Sequence, residues 1–320
     1  MPAQNPLLPS IAALDEYEEL RTSTAVWLPA AHAICERHNL PSSPLERLPG
    51  GTNVVFAAGD EHVVKLYPPA WIKLWETERA VAAHVDGKLD IPTPNIYAHG
   101  LLEGWPYLLM SRLHGRYLVE VWPGLGRPDQ IRIVSDLGRT IRALHSFPTD
   151  GLEGLDRDWD GLVRHRLRTV VERHHEQGVA EHWLRQIPAF LERAGPLYPS
   201  AFHPAIISGD IHDHHLLAAE EHGRWRVSGL FDFDDARIGF HEYDLAATGL
   251  FMMHGRPDLL RAFLLAYGYA ETALDEALSL RLLAFTLLHR YRPFNWWREE
   301  LVGNTHSTTL DELAAAIYPL

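Results

Sequence analysis

Cysteine is nearly absent from this sequence of 320 residues, in which Cys35 is the single example. One cysteine cannot form an intramolecular disulfide, and it excludes metal sites built from several thiolates. The sequence also lacks an apolar run near the roughly 18 residues that a membrane span needs, and no secretory signal precedes Pro9. We therefore expect a cytoplasmic protein without a membrane partner.

Basic residues are also scarce, since 29 Lys and Arg face 42 Asp and Glu and leave a formal net charge of −13. This charge opposes binding to nucleic acid and suits a cationic small molecule as the partner. The 46% share of hydrophobic residues is typical of a globular chain with a substantial core. We expect a monomer, with a dimer as the alternative.

Two short apolar runs between residues 205 and 248 carry acidic residues at their ends. The first run ends at Asp210 and is followed five residues later by His215, and the second ends before Asp232 and Asp234. If the strands around Gly223 pair as a hairpin, Asp210, His215 and Asp232 converge on one acidic pocket. Such a pocket would attract a divalent cation.

Two other interpretations of this stretch stay open. In the first, Asp210 is a turn residue, His215 a core histidine and Asp232 a cap at a strand end, which are all common structural roles. The second is a zinc site of four histidines, His203, His212, His214 and His215. Adjacent histidines in a strand point to opposite faces, which argues against this zinc site.

A glycine-rich turn at residues 50–53 precedes a predicted hairpin of two apolar strands. Lys65 lies in the second strand, where its side chain could also simply reach the surface. The rest of the chain is mainly helical by its periodicity, with helices predicted over residues 71–85, 129–145, 160–177 and 179–194. A phosphate-binding turn next to a strand lysine is one interpretation of this region.

In their order and spacing, Asp210, His215 and Asp232 resemble the catalytic centre of the aminoglycoside phosphotransferase and choline kinase branch of the protein-kinase-like superfamily. Ser208 departs from the His that usually precedes Gly-Asp in this family, and His215 stands where Asn is commoner. The resemblance implies an α+β, bilobal protein-kinase-like fold. Its small N-lobe holds an antiparallel sheet plus a helix, and its larger C-lobe is mainly helical.

The resemblance also implies how the chain is divided. Residues 1–45 form an N-terminal helical segment that packs on the lobes, and residues 46–110 form the nucleotide-binding N-lobe. Residues 111–115 are the hinge. Residues 116–320 are the C-lobe, which is catalytic and binds the acceptor.

Roles for single residues follow from the same resemblance. Asp210 is the implied catalytic base, and Lys65 binds nucleotide phosphates and is oriented by Glu78, with Glu76 as the alternative. The implied Mg²⁺ ligands are His215, Asp232 and Asp234. The other implied nucleotide-binding residues are Gly51, Thr52 and Asn53 of the turn and, around the nucleobase, Met110 and the backbone of Ser111 and Leu113.

The N-terminal helices, the segment WPYLLMSRLHG and the late segment LLAFTLLHRYRPF most resemble the hygromycin-B 7''-O-kinase type of antibiotic phosphotransferase. The resemblance implies transfer of phosphate from ATP, or alternatively GTP, to a hydroxyl of an aminoglycoside-type antibiotic, which confers resistance. Asp213, Asp235 and Glu242 are candidates to receive its ammonium groups.

Two alternative functions remain at this point. One is a kinase of the same fold that acts on a sugar, an amino alcohol or an amino acid. The other is a nucleotide-binding pseudokinase. The arginines and aromatic residues that follow His289 depart from the hygromycin type, because basic groups would repel a polycationic acceptor.

Overall fold

The computed structural model describes residues 6–40, 44–289, 294–301, 303 and 306–320. These residues form two compact units. The first unit consists of the described residues within Met1–Lys88, together with Pro92–His114 and Phe231–Asp235. The second consists of those within Leu89–Ile91, Gly115–Leu230 and Ala236–Leu320.

The first unit is built on an antiparallel sheet with the strand order β1-β2-β3-β5-β4. Its elements are α1 Leu14–Leu20, α2 Thr24–Arg37, β1 Leu45–Arg47, β2 Val54–Ala58, β3 His62–Leu66, α3 Ile72–Val85, β4 Ile96–Leu102 and β5 Trp105–Ser111. The hairpin predicted on either side of Gly59 is present, because β2 pairs with β3.

The N-terminal helices cover one face of this sheet. Tyr17 of α1 and Trp27 of α2 are fully buried with Phe56 of β2 in one apolar cluster. The indole of Trp27 meets that of Trp105 edge to face, with ring centroids 5.1 Å apart. Burial of such large aromatic side chains is the main force that holds the two helices on the sheet.

The second unit is mainly helical and contains two small sheets, one with the order β6-β8-β9 and one that pairs β7 with β10. Its elements are β6 Arg116–Tyr117, α4 Leu118–Val121, α5 Arg127–Ser146, α6 Trp159–Glu176, α7 Glu181–Leu184, α8 Ile187–Arg193, β7 Ala205–Ile207, β8 Leu216–Glu221, β9 Arg224–Leu230, β10 Arg237–Gly239, α9 Glu242–Met253, α10 Pro257–Tyr267, α11 Glu276–Leu288, α12 Phe294–Trp296 and α13 Leu310–Ile317. Within the described ranges, no helix has the length and apolar character needed to cross a bilayer.

The helix predicted over residues 129–145 is confirmed as α5, which packs along α10. Gly138 permits this close packing, because a Cβ atom there would lie 2.4 Å from the carbonyl oxygen of Phe263. The single helix predicted over residues 179–194 is wrong, since α7 and α8 are separate. Pro188 is the second residue of α8, a position that needs no amide hydrogen bond, whereas inside a longer helix it would break the chain's hydrogen bonding.

Candidate functional site

Asp210 lies in the loop between β7 and β8, on the second unit. The hairpin predicted around Gly223 is confirmed, because β8 pairs antiparallel with β9. In this loop the Nδ1 atom of His215 lies 2.8 Å from the backbone oxygen of Asp210 and 3.4 Å from its Oδ2 atom. Asp210 and His215 therefore come together as predicted, whereas Asp232 belongs to the first unit and its convergence with them stays a prediction.

The fully buried carboxylate of Asp244 holds the start of this loop in place. The two oxygens of Asp244 accept hydrogen bonds from the backbone amides of Ser208, at 2.8 Å, and Gly209, at 2.7 Å. The Nε2 atom of His145 lies 3.1 Å from the same carboxylate, and that of His289 lies 3.0 Å from the carbonyl oxygen of Gly209. These contacts fix the backbone of Ser208 and Gly209 at the start of the loop. They therefore limit the positions that Asp210 can take.

Replacing Asp244 by Asn should destabilise the fold and misplace the loop. The amide of Asn would turn an N–H group toward one of the two backbone donors and leave it without an acceptor. The expected loss is about 1–3 kcal/mol for a buried unsatisfied donor, measured by urea unfolding. Asn at Asp60, whose side chain is 99% exposed, is the control, and equal stability of the two variants would contradict this role for Asp244.

His212 is the closest side-chain partner of Asp210, and it was missed as such in the sequence. Its Nε2 atom lies 3.2 Å from Oδ1 of Asp210 and its Nδ1 atom 3.3 Å from Oδ1 of Asp213. Burial opposes the charged ring, but the hydrogen bonds that the ring donates to the carboxylates of Asp210 and Asp213 raise the pKa of His212 to about 9. The spacing of Asp210 and His212 could have indicated this contact, because side chains two residues apart lie on the same side of an extended chain.

Asp210 itself is held in the ionised form. Burial alone would raise the pKa of this carboxyl, but the hydrogen bond with His212 and the nearby imidazole of His215 bring it below its ordinary value. An ionised carboxylate can accept a proton from a hydroxyl group. The loop therefore presents a chemically competent base.

Lys65 is the centre of a second cluster, which lies on the first unit. Its Nζ atom lies 2.5 Å from Oε2 of Glu78, 2.8 Å from Oδ1 of Asp232 and 3.5 Å from Oδ2 of Asp234. The hydroxyl of Tyr67 donates to the same oxygen of Glu78. Glu76 instead pairs with the exposed Lys73 at 2.6 Å, so Glu78 is the partner of Lys65.

This second cluster carries three carboxylates against one ammonium group. Burial alone would lower the pKa of Lys65, but Asp232 and Glu78 hold it above its ordinary value. Burial and the neighbouring charge of Asp232 raise the pKa of Asp234 well above its usual range. The cluster thus has an excess of negative charge that a proton or a cation must balance.

Among the described residues, two groups could hold a metal ion: Glu78, Asp232 and Asp234 on the first unit, and Asp210, His212 and His215 on the second. The predicted set of His215, Asp232 and Asp234 is divided between them. The alternative zinc site of four histidines is not found, because neither group includes His203 or His214. His214 and His215 also lie in a 3-10 turn and not in a strand.

The glycine-rich turn is tied to helix α1. The hydroxyl of Tyr17 donates to the carbonyl oxygen of Thr52 at 2.7 Å, and the guanidinium of Arg21 donates to that of Gly51 at 2.9 Å. Asn53 donates from Nδ2 to Asp234 at 3.1 Å, while its Oδ1 atom is buried with no hydrogen-bond partner among the described residues. No local pattern predicts these hydrogen bonds, because 30 or more residues separate the partners.

The backbone amide of Ser111 in the predicted nucleobase segment donates to the carbonyl oxygen of Asn95 at 2.8 Å, so this amide is not available to a nucleobase. A contact of a nucleobase with the carbonyl oxygen of Ser111 stays a prediction. Met110 is buried against Tyr67 and Leu108. Leu113 follows the end of β5, and its amide makes no backbone hydrogen bond in the described part of the chain.

Of the three predicted acceptor-binding carboxylates, Glu242 does not fit that role. Its side chain is buried, and both oxygens accept hydrogen bonds of 2.9 Å from the guanidinium of Arg281, with the hydroxyl of Tyr269 as a third donor. Its charge is therefore already balanced inside the fold. Asp213 and Asp235 are partly exposed.

Arg290, Tyr291 and Arg292, which belong to the arginine-rich and aromatic stretch after His289, lie outside the described residues.

Stability should decrease in mild acid because of two buried histidines. Burial lowers the pKa of His241 and His289 from 6.5 to about 4. The unfolded chain binds more protons in this window, so their contribution is complete above pH 6.5 and is lost as the pH falls toward 4. Urea unfolding at a series of pH values should show this slope, and replacing His241 by Gln should reduce it; an unchanged slope would contradict the assignment.

The sequence pattern of the phosphotransferase enzyme family matches residues 44–278. One similar solved structure is the GDP complex of wild-type aminoglycoside 2'-phosphotransferase-IIIa, at 15% identity over 81% of this chain and 89% of that chain, with a TM-score of 0.66. Another is APH(3'')-Id from Streptomyces rimosus in complex with ADP and streptomycin, at 17% identity over 82% and 98%, with a TM-score of 0.57.

A third similar structure is aminoglycoside-3'-phosphotransferase of type VIII, at 22% identity over 80% of this chain and 96% of that chain, with a TM-score of 0.55. At identities this low, the structural similarity shows the fold alone. It confirms the α+β protein-kinase-like fold that the resemblance implied. The family pattern covers most of the sequence. The chain therefore belongs to the phosphotransferase enzyme family.

Proposed function

We propose that this enzyme transfers the γ-phosphate of ATP to a hydroxyl of an aminoglycoside-type antibiotic of the hygromycin B kind, and thereby confers resistance. The observation that carries the proposal is the buried ion pair of Lys65 and Glu78 beside Asp232. A similar structure contains ATP with streptomycin, and others contain ADP or GDP, which supports ATP as the donor and GTP as its alternative.

Lys65 binds the nucleotide phosphates in this proposal. Its pKa lies above the ordinary value, so it stays charged over the whole physiological range. Glu78 holds the ammonium group in place from one side, and Tyr67 holds Glu78. A charge that is already oriented needs little rearrangement when the phosphates arrive, which favours catalysis by electrostatic stabilisation.

Magnesium fits the chemistry of these donors, because the carboxylates beside Lys65 outnumber its single charge and hard cations prefer oxygen ligands. We assign His215, Asp232 and Asp234 as the residues that would hold it. When bound, Mg²⁺ supplies positive charge to the phosphate oxygens of the nucleotide. The amide of Asn53, which donates to Asp234, orients one of these carboxylates.

Asp210 is the proposed general base. It accepts a hydrogen bond from the acceptor hydroxyl, aligns the oxygen with the γ-phosphorus and takes the proton as the new bond forms. His212 keeps the carboxylate ionised and oriented through its hydrogen bond to Oδ1. Asp244 fixes the backbone that carries Asp210.

The acceptor is proposed to be cationic because the chain has a formal net charge of −13. Asp213 and Asp235 are the candidates to receive its ammonium groups. Kanamycin and streptomycin are bound in two of the similar structures. We further propose that the enzyme is a cytoplasmic monomer.

Growth of cells that express the chain tests this function. Expression should raise the concentration of hygromycin B that the cells survive, and expression of an Asp210→Asn variant should not. If resistance is unchanged, ADP release should be measured with purified enzyme and a panel of sugars, amino alcohols and amino acids. Activity with one of these compounds would show that it, and not the antibiotic, is the acceptor. No activity with any of them would favour a pseudokinase.

A further inference from the structure

Asp210, His212 and His215 form a compact set of donors for a transition metal. One ring nitrogen of each histidine and one carboxylate oxygen lie within 4.8 Å of one another. All three side chains are partly buried, with 12–19% of their surface exposed, so a small ion from solvent can reach them. Two imidazoles and one carboxylate leave further coordination positions open for water.

Neighbouring groups already hold these side chains in place. The ring of His212 stacks on Phe251, with centroids 4.5 Å apart and planes at 24°. Its Nδ1 atom lies 3.3 Å from Oδ1 of Asp213 and 3.3 Å from the backbone nitrogen of His214, and its Nε2 atom is directed at Asp210. The ring of His215 is oriented by its contact with the backbone oxygen of Asp210. A carboxylate behind the imidazole, as Asp213 is behind His212, is a common arrangement around metal-bound histidines.

We propose that these three residues bind one Zn²⁺ ion and that this ion inhibits the enzyme. Imidazole nitrogens favour zinc over magnesium, which prefers oxygen ligands and retains its water. The ion displaces the Nε2 proton of His212 to solvent and replaces the hydrogen bond between His212 and Asp210 with a bond to each of these residues. The ring keeps its Nδ1 proton, which it can donate in a hydrogen bond to Asp213.

The inhibition, but not the binding, rests on the proposed function. Zinc coordinated to Asp210 occupies the oxygen that would accept the proton of the substrate hydroxyl. It also removes His215 from its proposed role with magnesium. Micromolar zinc should therefore reduce turnover in the presence of excess Mg²⁺, and a chelator should restore it.

Calorimetric titration of the full chain with zinc chloride tests the site without any need for activity. We expect one ion per chain at micromolar affinity. Replacing Asp213 by Asn should weaken binding by about 10- to 100-fold, and replacing His212 or His215 by Asn should weaken it further. Replacing the exposed His203 by Asn is the matched control and should change nothing.

A second readout uses Co²⁺ in place of zinc, since its visible spectrum reports nitrogen ligands directly. The spectrum should change in the His212→Asn and His215→Asn variants and stay the same in His203→Asn, with circular dichroism as the check that each variant is folded. Equal zinc binding by the wild type and the two ligand variants would overturn the site. Binding at the site without loss of turnover would overturn the inhibition alone.

Discussion

Replacing Asp210 by Asn should lower kcat by about 10²- to 10⁴-fold, the contribution typical of a general base. Asn has nearly the same shape and can stay beside His212 and His215, but it cannot take a proton from the acceptor hydroxyl. The affinity for ATP should change little because the proposed phosphate contacts come from Lys65. Steady-state kinetics and calorimetry with ATP measure the two quantities separately.

Asp213→Asn is the matched control for this variant, since Asp213 contacts the same imidazole from the other side. Its loss should raise KM for the acceptor more than it lowers kcat. If Asp210→Asn retains kcat within a factor of about ten, the base is a different group. If it loses ATP affinity as well, the substitution has disturbed more than proton transfer.

Replacing Lys65 by Met should have the largest effect on stability. Lys65 is 5% exposed and is paired with Glu78 and Asp232, and its removal leaves three carboxylates close together without a compensating charge. Breaking a buried ion pair in this way costs about 3–5 kcal/mol. Urea unfolding measures the loss, and KM for ATP should rise in parallel.

Lys73→Met is the control, because Lys73 is 83% exposed and pairs with Glu76 across one turn of helix α3. An exposed pair of this kind contributes less than about 1 kcal/mol. A further variant, Glu78→Gln combined with Lys65→Met, should recover part of the stability, since it removes one of the unpaired charges. Equal stability of Lys65→Met and Lys73→Met would contradict the charge balance described for this cluster.

Local patterns in the sequence were sufficient for the elements that position the candidate site. Short apolar runs on either side of the turns at Gly59 and Gly223 predicted both hairpins, and the apolar stripe of residues 129–145 predicted helix α5. These patterns work because the period of side chains that face the core differs between strands and helices. The resemblance then added that a glutamate of the following helix orients Lys65, and the inward apolar stripe of that helix favoured Glu78 over Glu76.

Contacts between residues that are far apart along the chain could not be predicted from local sequence patterns. Glu242 looked like an available carboxylate, but Arg281, 39 residues away, neutralises it in the core. The amide of Ser111 is occupied by Asn95, which depends on how the chain enters β4. The ties from Tyr17 and Arg21 to the glycine-rich turn likewise require the fold to be known.

Phosphoryl transfer that uses both Lys65 and Asp210 is the central step of the proposed function. Purified enzyme should be incubated with Mg²⁺, hygromycin B and ATP that carries a label in its γ-phosphate. The products should then be separated and their masses measured by mass spectrometry. We predict that the label moves to the antibiotic as one added phosphate on a hydroxyl oxygen, and that neither Lys65→Met nor Asp210→Asn does this at a comparable rate. Label that stays in ATP, or a transfer that both variants perform as fast as the wild type, would contradict it.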